Sequence, residues 1–376
     1  MSYQVTARKW RPIVFDDVVG QSHVTNTLRN AIASHRVAHA YIFSGTRGCG
    51  KTTTARILAR ALNCLSPVQQ NPDNTCEVCR EIMEGRGLDV IEIDGASNRG
   101  VEEIRNLRDS VRYTPTRGKY KIYIIDEVHM LTKEAFNALL KTLEEPPAHV
   151  VFIFATTEVH KVPMTILSRC QRFDFRRIAV EEIIQSLGAI AKAEAITVEP
   201  DALMVIAKRA DGSLRDAQSI FDQVRSFCGT DIKTAELLKA FNVVDQEIYF
   251  RVSDVLKSHN TQHAILLVDE VIRCGYDLRE FVGGLTEHLR NLLIVRSTES
   301  TQLVEGSENY KKRYEQEAAQ FNEQDLLRYI KQTNDLDQAL RWASQARYRL
   351  EAGLIQMAKM EGAVQVGELL QQIELL

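Results

Sequence analysis

The sequence lacks a strong net charge of either sign. Lys and Arg together number 47 and Asp and Glu number 50, which gives a formal net charge of −3 over 376 residues. This balance excludes a domain that binds nucleic acid through overall basicity, so any contact with DNA has to come from a local basic patch. The length favours two or three domains, and the hydrophobic and charged fractions of 44% and 26% are those of an ordinary globular protein.

The sequence also lacks long hydrophobic runs and an even set of cysteines. No apolar run approaches the ~18 residues of a membrane-spanning helix, and residues 1–5 lack the apolar core of a signal peptide. The seven cysteines are an odd number, and Cys49 lies inside a glycine-rich loop, which disfavours a disulfide framework. We therefore expect a cytoplasmic protein that does not associate with membranes.

The clearest motif is a glycine-rich loop between a short apolar run and a run of helix-forming residues. Its residues, Gly45-Thr46-Arg47-Gly48-Cys49-Gly50-Lys51-Thr52, fit the phosphate-binding pattern G-x-x-x-x-G-K-[ST]. Residues 40–44 are typical of a buried strand and residues 53–62 of a helix, so backbone N–H groups and the helix N-terminus would surround a polyphosphate. Lys51 would contact the β- and γ-phosphates, and Thr52 would bind Mg²⁺.

A second apolar strand, residues 120–125, ends in the two acidic residues Asp126 and Glu127. Following a P-loop, this pattern is typical of an ATP-hydrolysing site, with Asp126 binding Mg²⁺ and Glu127 polarising the attacking water. Thr157 follows another buried strand, where its hydroxyl either orients this water and senses the γ-phosphate or bonds to the backbone. Val18 and Val19 either form a wall of an adenine pocket or belong to the core.

Three cysteines after the P-loop helix suggest a metal site. Cys76 and Cys79 have the C-x₂-C spacing of structural zinc sites, and Cys64 lies a dozen residues upstream, but such sites require four ligands. Asp73 lies three residues before Cys76 and offers a carboxylate as the fourth ligand. The alternative is three free thiols in a loop insertion. A closed zinc site would stabilise a hairpin and leave no coordination position open for chemistry.

The order of the predicted elements indicates three domains. Strands alternate with helices up to residue 178, which predicts an α/β fold with a parallel sheet covered by helices on both faces. From Ala179 onward helical periodicity takes over. We predict a nucleotide-binding domain at 1–178 that includes the cysteine module at 64–79, a small helical domain at 179–242, and a second helical domain at 243–376.

One arginine of the helical region has a position that suggests ligand binding. Ser213 can cap a helix, which places Arg215 in the first turn. Positive charge is unfavourable at a helix N-terminus, so Arg215 is there either for a ligand or for an ion pair with Asp211 or Asp216.

Four motifs together resemble those of the AAA+ clamp-loader ATPases of bacterial DNA polymerase III. They are Gly45 to Thr52, Asp126-Glu127-Val128-His129, Ser168-Arg169-Cys170 and Gly212-Ser213-Leu214-Arg215-Asp216. Further stretches that look like this family are Tyr3-Gln4-Val5, residues 7–12, residues 18–21 and residues 137–147. The resemblance extends in motif detail from residue 1 to the early 240s and is looser over the helical remainder.

The resemblance implies an AAA+ domain, an all-α lid and an all-α collar that oligomerises. It implies a motor subunit that assembles into a ring with further copies of itself and with delta and delta-prime subunits. This ring would use ATP and Mg²⁺ to open a sliding clamp and load it onto primed DNA. The family motifs match Thr157 to the sensor 1 position, Arg169 to an arginine finger that reaches a neighbour's nucleotide, and Arg215 to sensor 2.

The chain departs from the family's pattern at the zinc module. The family uses four cysteines, whereas Asp73 stands here in the place of one, so zinc is either retained with a mixed ligand set or lost. A second open point is the end of the chain. Longer family members have a C-terminal extension, and Leu376 lies near the expected end of the collar, which fits either a natural short form or a truncation.

Two other functions compete with a clamp-loader motor. One is another AAA+ DNA-remodelling ATPase, such as a branch-migration motor, for which the cysteine module and the Ser168-Arg169-Cys170 triplet are not expected. The other is a clamp-loader scaffold subunit that hydrolyses nothing. The presence of Lys51, Thr52, Asp126 and Glu127 favours hydrolysis over the scaffold.

Overall fold

The computed structural model describes residues 4–241, 244–305 and 308–362. The chain divides into two compact units, Met1–Asp231 and Ile232–Leu376, and each is described by itself. The boundary that we predict between the two helical domains, at residues 242 and 243, lies outside the described residues. The domain limits therefore stay a prediction.

The first unit alternates helices with short strands. Its helices are α1 (Thr6–Lys9), α2 (Ser22–Ala33), α3 (Lys51–Asn63), α4 (Glu77–Met83), α5 (Val101–Ser110), α6 (Lys133–Glu144), α7 (Met164–Leu167), α8 (Val180–Ala193), α9 (Pro200–Arg209) and α10 (Leu214–Cys228). Its strands are β1 (Ala40–Ser44), β2 (Val90–Asp94), β3 (Lys121–Asp126), β4 (Val150–Thr156), β5 (Gln171–Asp174) and β6 (Thr197–Val198), and β7 (Asp231–Ile232) begins at its end.

Strands β1 to β5 form one parallel sheet in the order β2-β3-β4-β1-β5. Ser44 of β1 lies opposite Thr156 of β4, and Asp94 of β2 lies opposite Asp126 of β3. Because parallel strands share their carboxyl edge, the P-loop after β1, Asp126 and Thr156 all emerge on the same side of the sheet, which is where ligands bind in such folds.

Both faces of this sheet are covered by helices, as predicted. Tyr41 and Phe43 of β1 pack into a buried cluster with α2 and α3 on one face, while Ala40 and Ile42 pack with α5 and α6 on the other. Every residue of β1 and β4 is buried, which explains why these strands are continuous apolar runs rather than alternating ones. The predicted α/β fold class is therefore confirmed.

Helices α8, α9 and α10 pack against one another and form the predicted helical lid. Ser213 caps α10 as expected, because its hydroxyl accepts a hydrogen bond from the Asp216 N–H at 3.2 Å. The lid differs from a purely helical domain in the short strand β6, where the Thr197 N–H donates to the Thr230 carbonyl at 2.9 Å. Two-residue strands have too little periodicity to be seen in a sequence.

The second unit is helical. Its helices are α11 (Thr234–Ala240), α12 (Gln246–Ser258), α13 (Thr261–Arg273), α14 (Leu278–Thr298), α15 (Glu308–Ala318), α16 (Glu323–Arg341) and α17 (Ala346–Ala358). Its buried core contains a polar network in which His288 bonds to the hydroxyls of Ser253 and Tyr314, each at 2.8 Å. Burial lowers the pKa of His288 to about 3, so this imidazole is neutral at physiological pH. Over the described part of the chain, every helix is too short or too polar to cross a bilayer.

Candidate nucleotide and metal sites

The P-loop connects β1 to α3 and requires glycine at two positions in particular. Gly48 and Gly50 have φ angles of 75° and 104°, in the left-handed region that favours glycine. A Cβ atom on Gly48 would also collide with the Ser213 hydroxyl and lie 3.3 Å from the Cβ of Arg215. The loop therefore closely approaches the first turn of the lid helix α10.

Lys51 is the first residue of α3, and its side chain turns back into the loop. Its ammonium group donates to the carbonyls of Gly45 and Thr46 at 2.9 and 2.7 Å, and the residue is only 6% exposed. These two hydrogen bonds hold the ammonium group inside the loop. This position suits the binding of phosphate oxygens.

Thr52 and Asp126 meet at the carboxyl edge of the sheet. The Thr52 hydroxyl donates to Oδ2 of Asp126 at 2.7 Å, although 74 residues separate them. A hydroxyl and a carboxylate are hard oxygen donors of the kind that Mg²⁺ prefers, so the pair fits the predicted magnesium site.

Glu127 is the next residue after Asp126, and an unusual backbone conformation orients its side chain. Its φ of 45° lies in the left-handed region, which strains a residue with a side chain. Its Oε2 accepts hydrogen bonds from the N–H and hydroxyl of Thr157 at 3.2 and 3.0 Å, and lies 3.3 Å from Nδ1 of His129. Thr157 thus contacts the predicted catalytic base. His129 belongs to the motif Asp126-Glu127-Val128-His129, but the motif alone does not predict its contact with Glu127.

A cavity of about 390 Å³ joins these groups to the lid. Its lining consists of Ala7, Arg11, Pro12, Val18, Val19, Arg47, Gly48, Cys49, Gly50, Lys51, Thr52, Thr53, Asp126, Glu127, Ile178, Leu214, Arg215 and Gln218. Val18 and Val19 are therefore both in the cavity wall. Thr157 is outside this lining and reaches it only through Glu127, while Gly45 and Thr46 act through Lys51.

Arg215 lines the cavity from the lid side. The ion pair that we considered with Asp211 is not formed, because the Asp211 carboxylate pairs with Arg177 instead. Among the described residues, Arg215 has no ion-pair partner, and this exposed residue lines the cavity together with the P-loop. This arrangement favours the ligand-binding interpretation over the surface ion pair.

Arg169 lies elsewhere, after α7, in an open depression that it shares with His39, Leu143, Glu144, Ser168 and Cys170. Its Nη2 pairs with Oε1 of Glu144 at 2.7 Å, and its Nη1 donates to the carbonyl of Thr165 at 2.7 Å. The structure therefore does not bring Arg169 to the cavity of its own chain. A role at a nucleotide would require the nucleotide of another subunit.

The four residues of the cysteine module converge on one point. One ligand atom from each of Cys64, Asp73, Cys76 and Cys79 can be chosen so that all lie within 4.8 Å of one another. Ligands of a tetrahedral zinc ion are about 3.5–3.8 Å apart, so a small contraction would complete the geometry. The donor set fits zinc, and the clustering of the three thiols with a carboxylate favours this interpretation over three free thiols in a loop insertion.

Hydrogen bonds within this cluster already pair the carboxylate with the thiols. Desolvation by itself would raise the pKa of the Asp73 carboxyl group. Hydrogen bonds from Cys64 and Cys76 outweigh this effect, so the pKa of Asp73 is lowered. Desolvation, together with hydrogen bonds to Cys76 and Asp73, raises the pKa of the Cys79 thiol. A thiolate at Cys79 therefore needs a compensating positive charge, which a metal ion supplies.

The N-terminal segment is fastened to the lid by two carboxylates that the sequence does not single out. Asp222 accepts hydrogen bonds from the N–H and the hydroxyl of Thr6, the former at 2.7 Å. Glu194 accepts from Nζ of Lys9 at 2.8 Å and from Nε1 of Trp10 at 2.9 Å, and also pairs with Arg225. Hydrogen bonds from Lys9 and Trp10 lower the pKa of Glu194 to about 2. Because Ala7, Arg11 and Pro12 line the cavity, the wall that they form is attached to the lid.

Family models cover most of the chain in three consecutive segments. Residues 20–179 match the DNA polymerase III delta subunit, and residues 182–230 match the ATPase lid domain of the DNA polymerase III clamp loader subunit. Residues 232–373 match domain III of the DNA polymerase III subunits gamma and tau.

Curated relatives agree with these models. The chain is 42% identical to the DNA polymerase III subunit tau of Bacillus subtilis, over 96% of this chain and 64% of the relative. It is 47% identical to subunit tau of Escherichia coli over 79% of this chain and 46% of the relative. It is 40% identical to the DNA polymerase III subunit gamma of Buchnera aphidicola, over 81% of this chain and 83% of the relative. The chain thus spans about half to two thirds of the length of the tau relatives.

Solved structures with a similar fold are more distant. The Thermotoga maritima RuvB branch migration motor has a TM-score of 0.47 and 20% identity, covering 66% of this chain and 79% of that one. The Bacillus subtilis DNA clamp loader delta protein has a TM-score of 0.37 and 13% identity, and the match covers 89% of this chain and 99% of that one. Both TM-scores are below 0.5, so the fold is assigned from the strand order and the family models instead.

Proposed function

The chain belongs to the family of bacterial DNA polymerase III tau and gamma subunits, and on that premise we propose that it is an ATPase motor subunit of a clamp loader. It would use ATP binding and hydrolysis to open a sliding clamp and load it onto primed DNA within the polymerase III holoenzyme. The proposed partners are further copies of the chain, delta and delta-prime subunits, the clamp and primed DNA. The proposed location is the cytoplasm.

The observation that supports this proposal best is the single cavity in which the P-loop, Glu127 and Arg215 meet. It has one wall with positive charge and backbone N–H groups, as a triphosphate requires, and another with apolar side chains, as a base requires. When Mg²⁺ is bound, Thr52 and Asp126 would hold it, and it would neutralise charge on the phosphate oxygens.

The chain's own groups have distinct tasks in the proposed hydrolysis. Lys51 would exchange its loop carbonyls for the β- and γ-phosphates when the nucleotide binds. Glu127 would accept a proton from the attacking water, and Thr157 and His129 would orient its carboxylate. Arg215 would bind the γ-phosphate from the lid, so that ATP contacts both domains and ADP loses one contact. Nucleotide state would therefore shift the position of the lid.

Arg169 is proposed to act on the nucleotide of the adjacent subunit. An arginine that neutralises the charge developing on a transferred phosphoryl group is worth about 10³-fold or more in rate. Because this group would come from another subunit, hydrolysis would depend on correct ring geometry. The distance of Arg169 from its own nucleotide cavity is consistent with this proposal.

Zinc is proposed as a structural ion held by Cys64, Asp73, Cys76 and Cys79. With four protein ligands it would stabilise the segment between α3 and α4 and take no part in hydrolysis. Replacing one thiolate by a carboxylate retains four coordination bonds but gives a weaker site than four thiolates would give for this borderline-soft metal.

ATP turnover by the purified chain, alone and with delta, delta-prime, clamp and primed DNA, tests the proposed function. We expect Mg²⁺-dependent hydrolysis that clamp and primed DNA stimulate, and a loss of at least about 10²-fold in Lys51→Ala, the effect of removing one charge-stabilising group. Lys192→Ala, an exposed lysine of α8, is the matched control and should retain full activity. Equal turnover by both variants would refute the assigned site. Turnover indifferent to the clamp would favour another AAA+ ATPase, and no turnover at all would favour a scaffold subunit.

A further inference from the structure

Gln218 lines the nucleotide cavity with a polar side chain that has no role in the hydrolysis proposed above. Gln218 is 6% exposed, which makes it one of the most buried polar residues of the lid. Among the described residues, none forms a hydrogen bond with its carboxamide. Gln218 is not among the residues whose fully buried polar atoms lack a partner in the described part of the chain, so its carboxamide reaches the solvent of the cavity that it lines. A ligand that fills the cavity would displace this solvent and would have to supply a hydrogen-bond partner in its place.

The position of Gln218 on α10 determines which part of a nucleotide it would contact. Ser213 caps α10 and Arg215 lies in its first turn, and both approach the P-loop at Gly48. Gln218 is three residues beyond Arg215, about 4.5 Å further along the helix axis. A side chain one turn beyond the phosphate-binding end is suited to contact the nucleoside rather than the phosphates.

The neighbours of Gln218 on the same helix face support this placement. Leu214 and Asp222 precede and follow it by four residues, so the three side chains lie on one face of α10. Leu214 lines the cavity, and Asp222 holds the N-terminal segment through Thr6. Gln218 therefore lies between an apolar wall and the N-terminal segment, whose Ala7 also lines the cavity.

A carboxamide in an apolar setting is complementary to adenine. It presents an acceptor oxygen beside a donor NH₂ group, and adenine presents a 6-amino donor beside a ring-nitrogen acceptor, the pairing by which Asn and Gln recognise adenine in DNA. We infer that Gln218 is a specificity-determining residue whose Oε1 accepts a hydrogen bond from the 6-amino group of ATP. This inference rests on the proposed function, since it assumes that the cavity binds ATP.

Binding of two nucleotides by the 376-residue chain tests the inference. The probes are ATP and purine riboside 5′-triphosphate, which lacks only the 6-amino group, in competition with a fluorescent nucleotide. We expect the wild-type chain to bind ATP roughly three- to tenfold more tightly than the analogue, the effect of one neutral hydrogen bond. In Gln218→Leu this preference should fall to about one. In Gln185→Leu, an exposed glutamine of α8, it should be that of the wild type.

A second variant guards against misfolding of the first. Gln218→Glu retains an acceptor oxygen at the same position, so it should keep the preference for ATP over the analogue even if its negative charge weakens both. The inference is overturned if Gln218→Leu folds and retains the preference, or if the wild type binds both nucleotides equally. In both cases ATP binding and the proposed function stand. Failure of the wild type to bind either nucleotide would overturn the proposed function and this inference together.

Discussion

Glu194 joins the N-terminal segment to the lid, so we expect that its replacement by Gln destabilises the protein by a measurable amount. The shift of its pKa from 4.5 to about 2 sets an upper limit of ~3 kcal/mol for the interactions of the carboxylate. The side chains of Lys9 and Arg225 are 51% and 36% exposed, so solvent screens both ion pairs. The Gln oxygen can still accept from Trp10. We therefore expect Glu194→Gln to reduce the free energy of unfolding by about 1–2 kcal/mol at pH 7.

The sign of the pH dependence follows from the direction of the pKa shift. A carboxyl group whose folded pKa is depressed stabilises the protein above its unfolded pKa and loses this contribution as the pH falls towards the folded pKa. The difference in the free energy of unfolding between wild type and Glu194→Gln should thus have its full value at pH 6 and above. It should shrink between pH 4.5 and about 2, because a protonated Glu194 resembles Gln.

The two tryptophans allow a local assay. Trp10 bonds to Glu194, whereas Trp342 of the second unit is 91% exposed, so a Trp342→Phe background leaves Trp10 as the only reporter of the N-terminal segment. Urea unfolding followed by Trp10 fluorescence at pH 7, 4 and 3 gives the required free energies. Glu181→Gln, an exposed position of α8, is the matched control. Equal midpoints for the two variants at pH 7, or a difference that persists undiminished at pH 3, would refute this reasoning.

Three further predictions concern the proposed motor and the cysteine module. Glu127→Gln should retain ATP binding and lose at least about 10²-fold in hydrolysis, since Gln accepts no proton; unchanged turnover would remove Glu127 from the role of base. Arg169→Ala should leave ATP binding by the isolated chain unchanged while lowering ring-dependent hydrolysis by about 10³-fold; weaker binding by the isolated chain would argue against action on a neighbour. Elemental analysis should find stoichiometric zinc, and Cys79→Ser should lose the ion and lower the free energy of unfolding; wild-type protein without zinc would end the proposal of a metal site.

Much of the nucleotide site was predictable because its chemistry is local in the chain. The sequence from Gly45 to Thr52 largely sets the backbone conformation of the loop, because glycines at positions 48 and 50 permit its left-handed φ angles. Asp126 was predictable because an acidic residue at the end of a buried strand can emerge only at the edge of the sheet. The convergence of the cysteine module was predictable because its four candidate ligands all lie within residues 64–79.

Pairings between distant segments were not predictable. Helical periodicity indicates which face of α8 or α10 is polar, but it does not say what that face contacts. Glu194 and Trp10 are 184 residues apart, and Glu144 and Arg169 are 25 apart. In sequence these acids resemble any solvated carboxylate.

The sequence by itself thus determined the chemical groups that we propose to bind phosphate and metal, because backbone turns and strand ends follow from neighbouring residues. Only the tertiary structure decided how those groups are supported and what completes the cavity. Packing of the lid against the sheet domain places Gln218 and Arg215 beside the P-loop. Such contacts arise from the fit of whole surfaces, which no local pattern of residues encodes.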